Sequence, residues 1–301
     1  MVVLARALVA APNGPASLVA TRAEELFQRA VAYAPEDQSA WRGLGFALAL
    51  QGREGEAMAV WRRAGNVAWE FMRRGEKAWE AKRYGEALTW YERAAQAEPE
   101  WGDPWYYAGL AHERQGQWRE ALRAYERAIE TDNFANVGRS SPYYRVGVIY
   151  QSRLEPWQVD DALAAYEVAL EADDFSTIQE AADCHYKRGE VYDWQGRDPY
   201  ESIQEYRQAI ALNPRHHWAH LRLGNALYQV YDDVALAEEE IEQAITLWPD
   251  DSYRKWPYRF LGDICQDAGL IDKAIAAYEE ALRLDPDDEQ VRGILAVLLQ
   301  E

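Results

Sequence analysis

The sequence predicts an all-α solenoid of antiparallel helix pairs, and three observations carry that prediction. One skeleton recurs along the 301 residues: a small residue, a ring or large apolar residue four later, and Ala three after that. Spacings of three and four put such residues on one face of a helix. Pro or Gly follows most copies, where a helix has to stop.

The copies, in order, are Ala23/Phe27/Ala30, Ala57/Trp61/Ala64, Ala87/Tyr91/Ala94, Ala121/Tyr125/Ala128, Ala162/Tyr166/Ala169, Ser202/Tyr206/Ala209, Ala237/Ile241/Ala244 and Ala274/Tyr278/Ala281. Each forms the second half, helix B, of a longer unit. Sixteen residues before the small residue stands another ring with Gly four after it, in Trp41/Gly45, Phe71/Gly75, Trp105/Gly109 and Tyr258/Gly262. Tyr143/Gly147, His185/Gly189 and His220/Gly224 repeat the pairing with one to three extra residues before helix B. These rings mark helix A. Small residues at the Gly45 and Ala57 positions let the two helices approach to about 8–10 Å. Enlarging one of them should overpack the pair at a cost of roughly 1–3 kcal/mol.

Laid end to end, the units make a single repeat domain over 1–301, with partial units over 1–35. Complete repeats cover 38–67, 68–101, 102–139, 140–181, 182–214, 217–254 and 255–286, and 287–301 reads as a capping helix. From the last Ala of one unit to the ring of the next is normally eleven residues. The gap shrinks to seven from Ala64 to Phe71 and grows to fifteen before Tyr143, sixteen before His185 and fourteen before Tyr258. "TDNFANVGRSS" and "ADDFSTIQEA" therefore carry insertions, where the regular stacking should be distorted. At the start, "ARALVAAP" repeats the Ala-to-Pro end of a B helix. We expect it to be the tail of an earlier repeat, and the chain to be the C-terminal part of something longer.

This pattern resembles the tetratricopeptide repeat, a helix pair with a period of 34 residues. "WRGLGFAL" (41–48), "WYYAGLAH" (105–112) and "YRFLGDIC" (258–265), each followed by its B helix, carry the likeness. The resemblance implies a right-handed superhelix with the A helices lining a concave wall. It also implies which slots line that wall. Two before the ring stand Ser39, Trp69, Asp103, Ser141, Asp183, Trp218 and Trp256. One after stand Arg42, Met72, Tyr106, Tyr144, Tyr186, Leu221 and Arg259; five after, Phe46, Glu76, Leu110, Val148, Glu190, Asn225 and Asp263. Eight after are Ala49, Trp79, Glu113, Gln151, Asp193, Tyr228 and Gln266. From these columns the candidate ligand contacts are Trp69, Met72, Trp79, Tyr106, Leu110, Tyr144, Tyr186, Glu190, Trp218, Asn225, Tyr228, Trp256 and Arg259. Rings in slots that packing does not need mark an interaction surface. The competing expectation is that these rings pack against one another. The carboxylate clamp by which some relatives grip C-terminal acids is not spelled by any three consecutive repeats.

Charge and chemistry narrow the function further. A net charge of −19 disfavours nucleic acid, whose binding needs clustered Lys and Arg, and favours a neutral or basic partner. Cys184 and Cys265 stand in different repeats, which indicates no disulfide framework. No uninterrupted apolar run reaches the length of a membrane span. "HHWAH" places His216 and His220 four apart, yet two His are too few for a metal site, and His220 fills a ring slot. With no phosphate loop, nucleophile elbow or zinc-protease helix, neither a cofactor nor catalysis is indicated. The reading is a non-catalytic scaffold binding a peptide or helical segment in an aromatic, acidic groove. The alternative is an accessory module of a bacterial cell-surface polysaccharide polymerase or ligase, contacting glycan or assembly partners. The compartment follows that choice, cytoplasmic for a free-standing chain and extracytoplasmic for a piece of a membrane protein.

Overall fold

Each B-helix triplet in a complete repeat turns a stripe of small residues and one large residue toward the A helix before it. The computed structural model describes residues 16–65, 67–153, 158–194, 198–249 and 251–299. The expectation for residues 5–12 lies outside them. Among the described residues there are sixteen helices and no strand. They fall into two compact units, divided after Val137.

The first unit holds α1 (Ala16–Tyr33), α2 (Gln38–Ala49), α3 (Glu54–Ala64), α4 (Val67–Glu80), α5 (Tyr84–Ala97), α6 (Gly102–Arg114) and α7 (Trp118–Thr131). Here α2/α3, α4/α5 and α6/α7 are A/B pairs, and α1 is a B helix. The second unit holds α8 (Ser140–Ser152), α9 (Val159–Ala172), α10 (Ile178–Trp194), α11 (Pro199–Leu212), α12 (His217–Tyr231), α13 (Val234–Leu247), α14 (Asp251–Asp267), α15 (Ile271–Leu284) and α16 (Glu289–Leu298). Four A/B pairs run from α8 to α15. Val291 and Leu298 of α16 are buried in one cluster with Tyr278 and Ala281 of α15, so this helix covers the last pair.

Within a pair the packing is a ring laid over a glycine. A β-carbon added at Gly75, Gly109, Gly147 or Gly262 would fall 2.4 to 2.6 Å from Cε1 of Tyr91, Tyr125, Tyr166 or Tyr278, respectively. At Gly45 the ring is Trp61, and at Gly224 it is replaced by the Ile241 side chain and the Ala237 carbonyl. All of these large side chains are essentially inaccessible to solvent. The A-to-B turns of three pairs place Gly52, Gly116 and Gly269 at φ 73 to 74°, a left-handed conformation that glycine adopts without steric cost. Lys82 holds the equivalent turn at φ 58°.

The ring that opens helix A has a second task at the corner behind it. Trp41 Nε1 donates to the carbonyl of Pro35 at 2.7 Å, and Trp105 Nε1 to that of Pro99 at 3.1 Å. His220 makes the same bond with Nε2 to Pro214 O at 3.2 Å, while its Nδ1 lies 2.7 Å from Glu240. The carbonyl of the proline in the corner after one B helix is thereby satisfied by the next A helix.

Candidate functional site

Five of the seven slots two before the ring, Trp69, Asp103, Ser141, Asp183 and Trp218, are engaged within the fold. They reach forward to the corner that precedes the next A helix. Asp103 accepts from the backbone N–H of Ala135 at 3.0 Å and of Asn136 at 2.8 Å, tying the first insertion to α6. Ser141 Oγ accepts from the Ser176 N–H at 2.9 Å and donates to Glu180 at 2.6 Å, tying the second insertion to α8. Asp183 accepts from His216 Nε2 at 3.0 Å. The other nitrogen of that imidazole accepts from Ala219 N–H at the start of α12, which puts the proton on Nε2. Apolar versions do likewise, Trp69 on Trp101 with ring centroids 4.4 Å apart and Trp218 on Trp248 at 4.6 Å. The insertions are thus built into the stack by Asp103 and Ser141, which the slot rule places on the concave wall.

The column one after the ring differs from the open ladder expected of it. Tyr106, Tyr144 and Tyr186 are only 4, 6 and 7% exposed. Each packs on the B-helix tyrosine of its own pair, with centroids 5.6 Å apart for Tyr106 and Tyr125, 6.4 Å for Tyr144 and Tyr166, and 6.0 Å for Tyr186 and Tyr206. Burying two large rings together outweighs presenting one to water. Met72 is buried as well. The column eight after the ring receives the hydroxyls of B-helix tyrosines: Tyr125 donates to Glu113 at 2.6 Å, Tyr166 to Gln151 at 2.6 Å, Tyr206 to Asp193 at 3.4 Å, and Tyr278 to Gln266 at 2.9 Å. A buried phenol needs an acceptor, and the slot supplies one.

In the second unit, five predicted slot residues still converge. Tyr144 of α8, Asp183, Tyr186 and Glu190 of α10, and Trp218 of α12 line one trough of about 430 Å³, joined by Lys187, His216 and Arg222. A neighbouring hollow of about 300 Å³ shares Lys187, Glu190 and Arg222 with it and adds Gln151, Ser152 and Asp193. Glu190 is the centre of the trough: it accepts from Tyr186 Oη and from Lys187 Nζ, both at 2.7 Å. Burial, with Glu190 beside it, pushes the Tyr186 phenol well above its ordinary value, so it stays a hydrogen-bond donor. Burial also raises the Asp193 carboxyl, against the pull of Arg222. The trough is therefore a mixed set of fixed donors and acceptors with an indole at one side.

The first unit is different. A cleft of about 680 Å³ is lined by Ser39, Arg42, Phe46 and Ala49, all predicted slots, together with Arg73, Arg74, Trp90 and Arg93. Its charged lining is four arginines against one carboxylate, Glu70, so the acidic groove expected from the net charge is here replaced by a basic one.

The remaining candidates scatter. Trp79 packs on Tyr84 at 5.0 Å beneath Arg114, Trp256 lies under Lys255 and Arg259, and Arg259 is 3.8 Å from Asp288. Tyr228 donates to Asp267 at 2.9 Å, and Leu110 and Asn225 are half-buried. The structure also brings in residues the columns missed. Arg73, Lys187 and Arg222 all stand two after the ring, as does Arg145, a basic column that the spacing could have revealed. Trp90 and Arg93 come from a B helix, outside any rule built on A helices. Among the described residues no group of three or more His, Cys, Asp and Glu is placed to hold a metal. None of their helices is long and apolar enough to cross a membrane.

Paired helices whose rings sit over glycines, with troughs left between A helices, define an all-α repeat protein. Tetratricopeptide-repeat profiles match residues 102–133, 257–288 and 20–67, and a TPR repeat profile matches 200–230. The chain belongs to the tetratricopeptide-repeat superfamily. Solved structures of similar fold include PilW, described as a widely conserved type IV pilus biogenesis factor: 13% identity, 77% of this chain and 99% of that one, TM-score 0.61. The pilF protein of Pseudomonas aeruginosa matches at 14% identity over 76% of this chain and 97% of its own, TM-score 0.60. YrrB, described as a TPR protein with an unusual peptide-binding site, matches at 18% identity over 68% of this chain and 96% of its own, TM-score 0.53. No curated protein sequence matches the chain.

Proposed function

We propose that the chain is a non-catalytic scaffold whose second unit binds an extended peptide segment of a partner protein in the trough between α8, α10 and α12. The observation that carries this reading is the convergence of Tyr144, Asp183, Tyr186, Glu190 and Trp218, from three successive A helices, on one hollow. An extended backbone offers alternating donors and acceptors, and the trough offers Glu190 and Asp183 to accept and Lys187 and Arg222 to donate. The indole of Trp218 gives an apolar side chain a seat. Support by analogy comes from YrrB, a similarly folded protein described as having a peptide-binding site.

The test is selection of a displayed random peptide library on the immobilised chain, repeated with Trp218→Ala and Glu190→Gln. Enriched peptides that lose affinity for both variants support the trough. Enrichment that both folded variants retain removes it, and retention of soluble glycan with no peptide enriched would favour the polysaccharide reading.

A further inference from the structure

The arginine cleft of the first unit calls for a ligand of different chemistry. We infer that it recognises an acidic peptide segment, one presenting Asp or Glu side chains; this rests on reading the hollows of the A-helix face as peptide grooves.

In a chain of net charge −19, four guanidinium groups around one hollow invert the local sign of the surface. Charge left to solubility would be acidic here too. Two of the four are held in place by rings: Arg74 lies over Phe46 at 4.0 Å and over Trp90 at 5.0 Å, and Arg93 over Trp90 at 5.0 Å. Guanidinium planes fixed on aromatic faces lose little freedom when a carboxylate docks edge-on to them. The internal compensation is partial. Glu70 accepts from Arg73 at 2.8 Å and Arg74 at 3.0 Å, and Arg93 pairs with Glu54 at 2.8 Å. Arg42 pairs with no carboxylate among the described residues, and its buried Nε has no hydrogen-bond partner. A half-buried cation left in that state is stabilised by an anion arriving from outside.

The cleft also continues in a direction that suits a chain better than a single ion. A second hollow of about 380 Å³ shares Arg42, Glu70 and Arg73 with it and is lined by Trp69 and Met72. The Trp69 indole is 48% exposed and is braced by Trp101. An acidic side chain on the arginines would thus set a neighbouring apolar side chain on the indole. The occupant is then a peptide with Asp or Glu close to an aromatic or aliphatic residue.

The experiment is fluorescence anisotropy on the whole chain with two labelled twelve-residue peptides, one rich in Asp and Glu around a single Phe, the other its Asn and Gln counterpart. The acidic peptide should bind at least about tenfold more tightly, with affinity falling as salt rises. Arg42→Gln with Arg73→Gln should lower it at least about tenfold, and Lys273→Gln, an exposed cation of the other unit that lines none of these hollows, should leave it unchanged. If the double variant loses its helical circular dichroism, Arg73→Gln alone decides, since that side chain is 76% exposed. Equal binding of the two peptides overturns the inference and leaves the peptide-groove reading standing. Folded arginine variants that bind the acidic peptide like the parent also overturn it. Displacement of the peptide by equimolar inorganic phosphate would reduce the cleft to a free-anion site. Failure of both peptides, and of every library peptide, would sink both readings together.

Discussion

Gly109 on α6 lies directly under the ring of Tyr125 on α7, so that a β-carbon there would fall 2.5 Å from Cε1 of the tyrosine. A ring covers the glycine in the same way in every pair but α12/α13, where Ile241 takes its place, which makes this contact the unit from which the stack is assembled. The tyrosine has nowhere to retreat, because its hydroxyl is held by Glu113 at 2.6 Å and its ring by Tyr106.

Gly109→Ala should therefore destabilise the chain by about 1–3 kcal/mol, an overpacking cost that exceeds the gain in helix propensity. Gly293, in the middle of α16, has nothing within 4 Å of an added β-carbon. There the same substitution should stabilise by about 0.5–1 kcal/mol. Urea denaturation of the two variants beside the parent reads both signs. A neutral Gly109→Ala would show that the pairs are loosely packed.

These pairs were legible in the sequence because a helical period marks which face is buried. It does not say what covers that face. Asp103, Ser141 and Asp183 share a column with Trp69 and Trp218; four of the five stand in the first turn of helix A, and Asp183 stands one turn further in because α10 begins early, at Ile178. Their partners, however, lie in corners whose conformation no period encodes: Asn136 in one insertion, Ser176 in the other, His216 at the next helix start. The tyrosines one after the ring were assigned to ligand because a column rule treats a side chain as pointing straight out. A long side chain can lean onto its neighbour instead, and Tyr106, Tyr144 and Tyr186 each lean onto a B-helix tyrosine. The basic cleft was hidden for another reason, since a net charge is an average and Trp90 and Arg93 belong to a B helix.

Asp103 gives the clearest test of the corner device. Its carboxylate is fully buried and accepts from two backbone N–H groups of the first insertion. Asp103→Ala would leave those donors unpaired, at a cost of about 1–3 kcal/mol. The loss should be local first, because a corner holds fewer contacts than a helix pair. Limited proteolysis should cut between residues 132 and 139 in the variant well before the helices melt, with the parent resistant there. Equal cleavage patterns would mean that Phe134, packed at Gly102, is what holds the corner.

Acid should loosen the second unit through Glu205. This carboxylate is 4% exposed, with His185 Nδ1 at 2.9 Å and Arg188 donating at 2.6 Å. Burial alone would raise its pKa, but the hydrogen bonds from His185 and Arg188 outweigh burial and hold it below the ordinary carboxylate value. A depressed folded-state pKa means that the ionised form stabilises the fold. That contribution is complete above the unfolded value of about 4.3, and it fades as pH falls through the lower, folded one. Glu205→Gln should therefore cost about 2–3 kcal/mol at neutral pH, where it strands Arg188 without its carboxylate. In acid, as pH falls from that unfolded value through the lower folded one, the parent's own carboxyl protonates, and the gap between parent and variant should narrow. Denaturation of both proteins at neutral pH and in acid measures this directly, and a gap that stays constant or widens in acid would show that Glu205 does not carry the acid sensitivity of the unit.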